Sequence, residues 1–60
     1  MKYEIGTKIR IVEMYGESRY NGREGVITHI DSFGQLHGTW GGLAVIPERD
    51  IIEVIESHGT

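Results

Sequence analysis

The chain has 60 residues, 38% of them hydrophobic, with nine acidic and six basic side chains, a net charge of −3 and no cysteine. That bounds it to one domain with one thin core, because so short a chain buries only about 60% of the surface its unfolded form exposes. It excludes a disulfide framework or cysteine zinc site, a disordered tail and a membrane-crossing helix, since no apolar run approaches the roughly 20 residues required.

Nine glycines separate short runs rich in Ile and Val, the punctuation of strands and turns. Apolar residues nowhere recur at helical spacing. The first strand is expected over Lys8–Met14. Ile9 and Ile11 alternate with Lys8 and Arg10 and share a face, whereas Val12 and Met14 fall out of phase, which a bulge or strong twist accommodates. Tyr15–Glu24 is a polar loop of about ten residues, and long loops in small domains often carry function. The second strand is expected over Gly25–Asp31. Asp31-Ser32-Phe33-Gly34 reads as a hairpin turn, with Gly34 suited to a left-handed conformation. The third strand covers Gln35–Trp40, with Leu36 and Trp40 on one face and Trp40 in the core. Gly41-Gly42 reads as a second tight turn. The fourth strand is Leu43–Ile46, ended by Pro47, which cannot donate to a ladder. Pro47–Asp50 reads as one 3₁₀ turn, and the fifth strand is Ile51–Ile55. One domain over residues 1–60 is expected, with a core from 6 to 56 and fraying at 1–4 and 57–60. Met1–Ile5 lacks the apolar stretch of a secretory signal, so a cytoplasmic location is expected.

Closing five short strands on themselves buries one face and removes most exposed edges. The expected fold is therefore all-β. A long first loop, two tight hairpins, a single turn and a last short strand follow the order of a five-stranded SH3-like barrel. Gly25-Val26-Ile27-Thr28-His29-Ile30-Asp31 resembles the core of a KOW-type motif, in which a glycine opens a barrel strand. Gly6-Thr7-Lys8-Ile9-Arg10-Ile11, Gly22-Arg23-Glu24-Gly25-Val26-Ile27, Gly34-Gln35-Leu36-His37 with Trp40, and Gly42-Leu43-Ala44-Val45-Ile46-Pro47 with Asp50 occur in that order. Together they resemble a small bacterial domain-of-unknown-function family, numbered 4314. The resemblance runs from about Gly6 to Ile55. It implies an SH3-like fold in a bacterial or phage setting and supplies no activity. Two features depart from the family pattern. Gly38 stands where the pattern has a β-branched residue, which predicts a thinner core beside Trp40 and a less rigid barrel there. The first loop has no proline, so nothing that relatives recognise through it transfers.

No catalytic constellation is present. Ser18, Ser32 and Ser57 lack a glycine elbow, and Gly41-Gly42 has no helix after it to make a phosphate loop. Asp31, Asp50 and the glutamates read as turn and surface residues that serve solubility. The chain reads as non-enzymatic and without a cofactor. His29 and His37 are expected opposite each other across the hairpin, with Cβ atoms about 5 Å apart. Two imidazoles at that spacing are a weak metal candidate, since zinc takes three or four protein ligands and no third is obvious: Asp31 or His58 would have to reach. Otherwise they are a solvent-facing pair, or His37 fixes the hairpin by a hydrogen bond.

The binding candidates are Tyr15, Arg19, Tyr20 and Arg23 in the first loop, with Asn21 among them, and Phe33 at the hairpin tip. Aromatic residues interleaved with arginines can stack bases and hold phosphates. Tyr and Arg equally anchor protein interfaces, or one tyrosine packs over the barrel end while the rest of the loop is solvated. Phe33 is either a docking anchor or a lid over the barrel end. Lys8 and Arg10 extend a basic stripe that Glu13, Glu17 and Glu24 weaken. The net charge of −3 disfavours a nucleic acid, so the expected role is a protein-interaction module, with a nucleic-acid accessory domain as the alternative. A weak homodimer through a sheet edge is a variant of the first reading, and no membrane partner is expected.

Overall fold

The computed structural model describes residues 3–56, in which four antiparallel strands form an open sheet. They are β1 (Lys8–Glu13), β2 (Glu24–Ile30), β3 (Leu36–Gly38) and β4 (Ile51–Glu56), in the order β3-β2-β1-β4. Among the described residues no helix is long and apolar enough to cross a membrane.

The alternation in β1 organises the core. Ile9 and Ile11 are fully buried and meet Met14, Ile27, Leu36 and Val45, which are buried as completely. Side chains of this size each contribute about 1.5–3 kcal/mol when removed from water. A register shift between Ile11 and Glu13 on β4 passes over Val12. Val12 therefore points outward and Met14 returns to the core, which resolves the break in phase seen in the sequence. Tyr20 and Trp40 complete the core, with Tyr3, Ile30 and Ile52 packed against it. Tyr3, within the stretch expected to fray, has its side chain against the core. Residues 1–2 and 57–60, and with them His58 as a possible ligand, lie outside the described residues.

The expected fourth strand is reduced to one bridge, Leu36 with Val45. The reason lies in Trp40. Its indole N–H donates to the Leu43 carbonyl at 2.8 Å, so that carbonyl serves a side chain instead of a ladder. Residues 39–44 consequently form a wide loop, and Gly41-Gly42 is not a tight hairpin turn. Trp40 itself is buried, as expected, but in this loop rather than on a strand.

The 3₁₀ turn also lies elsewhere than expected. It spans Ser18–Tyr20 in the first loop and carries Tyr20 into the core. Pro47–Asp50 is instead a turn held by the Arg49 and Asp50 amides, both donating to the Ile46 carbonyl at 2.9 and 2.7 Å.

Gly38 does not thin the core. A Cβ there would overlap the Trp40 ring and the Val26 carbonyl. The indole fills the space a β-branched residue would occupy, so glycine and tryptophan together conserve packing volume.

Candidate functional site

An open groove of about 490 Å³ is lined by two stretches of the chain. Met14, Tyr15, Gly16 and Glu17 form one stretch, or wall, and Leu43, Ala44, Ile46 and Arg49 the other, and Gln35 also lines it. The volume falls within the range of ligand pockets. Tyr15 is 69% exposed and Leu43 is partly exposed, so the groove offers apolar surface to an incoming partner.

Asp50 holds the two walls together. It is 5% exposed. Its Oδ1 accepts the Tyr15 amide at 3.1 Å from the first wall, and its Oδ2 accepts the Ile46 amide at 2.9 Å from the second. The Arg49 guanidinium closes the set, with Nε 3.0 Å from Oδ1 and Nη2 3.4 Å from Oδ2. Burial alone would raise the Asp50 carboxyl; Arg49 and the Ile46 and Tyr15 amides outweigh it and hold the group below its ordinary value. The expectation that Asp50 serves solubility is therefore wrong. A usable signal was present: an aspartate three residues after Pro47 at the end of a turn is well placed to accept backbone amides.

The five sequence candidates do not form one surface. Tyr15 alone lines the groove. Arg19 points to solvent, with Nε 3.4 Å from a Glu17 carboxylate oxygen and its guanidinium carbon 5.9 Å from the Tyr20 ring centre. Tyr20 is 7% exposed and belongs to the core, which realises the alternative of one tyrosine packed inward. Arg23 lies 4.2 Å over the Tyr20 ring and donates from Nη1 to the Trp40 carbonyl at 2.9 Å. It joins the first loop to the Trp40 loop and has a structural task. Phe33 is 82% exposed at the hairpin tip, apart from the groove lining.

The hairpin is built on the second aspartate. Asp31 Oδ1 accepts the Phe33 and Gln35 amides at 3.0 and 2.9 Å, and Gly34 takes a positive φ of 83°. His29 and His37 are directly paired, with ring centres 5.5 Å apart. His37 Nε2 lies 2.9 Å from Asp31 Oδ2. Hydrogen bonding to His37 first, then to the Gln35 amide, lowers the Asp31 carboxyl. His37 thus fixes the hairpin, and among the described residues no group of three or more His, Cys, Asp or Glu side chains is placed to hold a metal ion.

The basic stripe is largely neutralised. Arg10 sits between Glu24 at 3.5 Å and Glu53 at 3.0 Å, and Lys8 Nζ is 4.0 Å from Glu24.

No curated protein and no solved structure matches the chain. A family model does, over residues 1–55: Domain of unknown function (DUF4314). Residues 1–55 take in all of β1 to β3, both groove walls and Asp50, and the chain belongs to that family.

Proposed function

We propose that this chain is a non-enzymatic protein-interaction module of the bacterial cytoplasm, which takes a partner's peptide segment into the groove between Tyr15–Glu17 and Leu43–Arg49. The observation that carries the reading is the buried Asp50, which ties both groove walls to one carboxylate. A groove held open in advance loses less conformational freedom when it is filled. Tyr15 and Leu43 supply the apolar contact, and Arg49 and Glu17 the polar rim. The fold fits a KOW-like, SH3-like barrel, because the Val45 bridge adds a fifth segment outside β3 in the order expected for one.

Selection of random peptides displayed on phage against the purified domain tests this. Peptides that bind the native chain and lose at least about tenfold in affinity to Leu43→Glu, while retaining it against Phe33→Ala, support the groove. Failure to enrich any peptide, or peptides indifferent to Leu43→Glu, overturns it.

Against the alternative of a nucleic-acid accessory domain stands the pairing of Lys8, Arg10, Arg19 and Arg49 with carboxylates. Binding to single- or double-stranded DNA or RNA that weakens steeply with added salt would reverse that preference.

A further inference from the structure

Asn21 is the only asparagine of the chain, and Gly22 follows it. That dipeptide carries the parts of a covalent reaction. Glycine has no side chain to obstruct its nitrogen. Once solvent base takes its proton, the Gly22 nitrogen can bond to Asn21 Cγ. The bond from Cγ to the side-chain nitrogen then breaks, and ammonia leaves. Water opens the resulting succinimide ring at either carbonyl. One opening gives aspartate. The other gives isoaspartate, in which the main chain runs through Cβ and Cγ and is one atom longer. Water is the only co-reactant.

Both residues are exposed, yet the fold holds their reacting atoms apart. The Gly22 N–H donates to the Ile11 carbonyl at 2.7 Å, and the Ile11 amide donates to the Arg23 carbonyl at 2.8 Å. Ile11 is fully buried, so this pair of bonds fastens Gly22 to β1. Asn21 Oδ1 accepts the Met14 amide at 2.9 Å, which ties the side chain to the start of the first loop. The Asn21 backbone lies at ψ 131°. Ring closure needs a near-attack geometry, with the Gly22 nitrogen turned toward Cβ, and that requires a strongly negative ψ. Rotating to it pulls Gly22 off Ile11. The other side does not yield either, because the Asn21 amide donates to the Ser18 carbonyl at 3.0 Å and Tyr20 is held in the core.

From these contacts we infer that Asn21 is a deamidation site gated by the fold: it reacts only while the turn after Tyr20 is open, and isoaspartate then keeps that turn from closing. The extra main-chain atom shifts Gly22 relative to the Asn21 Cα, so the bonds to Ile11 and Met14 cannot both re-form. Aspartate, in contrast, leaves the main chain intact and keeps a side-chain oxygen for the Met14 amide. The site converts time spent open into a permanent change of the chain. Asn21 does not line the groove, so the inference is independent of what the groove binds.

The test follows deamidation of the native chain at mildly alkaline pH by intact mass and peptide mapping, folded and unfolded in guanidinium chloride. When opening and closing are fast, the rate follows the open fraction, so the folded chain should deamidate at Asn21 at least about tenfold more slowly than the unfolded one. The Gly22 amide should be protected from hydrogen exchange in spite of its exposure. The purified isoaspartate form should unfold at a lower urea midpoint than Asn21→Asp, which carries the same charge on an unaltered main chain. Equal rates in the folded and unfolded chains, no reaction at Asn21 when unfolded, or an unprotected Gly22 amide overturns the gate. An isoaspartate form as stable as Asn21→Asp overturns the claim that the turn cannot close again.

Discussion

Asp31 and Asp50 do the same chemical task at two levels of the structure. Each carboxylate accepts two backbone amides and one side-chain donor. Asp31 ties only residues of its own hairpin and stays partly in water. Asp50 is buried and reaches Tyr15, 35 positions away. One closes a turn; the other joins two distant segments. The Asp50 carboxylate is buried where that of Asp31 is not, so water replaces its bonds less readily and the same bonds are harder to lose there.

That contrast sets the expected size of each perturbation. Asp50→Ala strands the Tyr15 and Ile46 amides and frees Arg49, and should cost about 3 kcal/mol or more in urea unfolding. A loss no larger than that of Asp31→Ala would erase the distinction. Acid sharpens it. Both carboxyls are lowered from 3.8 in the fold. The unfolded chain therefore takes up protons at higher pH than the fold does, so the stability these groups contribute is complete above about pH 5 and is lost progressively as the pH falls further. The gap between the native chain and Asp50→Ala should narrow in that range, read from urea midpoints at stepped pH. Gly38→Ala supplies a reference without a charge: overlap with the Trp40 ring should cost about 1–3 kcal/mol, by the same urea assay and with no dependence on acid. Asp31→Ala should cost clearly less than Asp50→Ala in the same assay, with the change in amide shifts confined to residues 31–37. Arg10→Ala removes an exposed ion-pair ladder and should cost at most about 1 kcal/mol, shrinking with added salt.

What could be read from the sequence follows the same division between local and distant causes. The faces of Ile9 and Ile11, the Phe33 turn and the His29–His37 register were set by alternation and turn chemistry among neighbours. The sheet was legible to that extent, with β1, β2 and the last strand within a residue or two of their expected ends. The shortened β3, the single Val45 bridge and the lost Gly41-Gly42 turn share a cause outside local pattern: the Trp40 indole takes the Leu43 carbonyl and lies over Gly38. The family comparison suggested a thin core at Gly38 because it considered that position without the ring that occupies it. In the candidate site, Tyr15 was legible as an exposed aromatic on a long loop. Tyr20 was not, because a three-residue 3₁₀ turn reverses its direction. Asp50 was missed because its partner Tyr15 is remote in sequence.

The Trp40–Leu43 bond also has an optical consequence. Trp40 is the only tryptophan of the chain, and its indole N–H rests on the backbone of a groove-wall residue. A ligand that shifts Leu43 alters the polarity and hydrogen bonding around the indole, and with them its emission wavelength and lifetime. The protein therefore carries its own fluorophore at the wall of its groove, and titrations of that groove need no label.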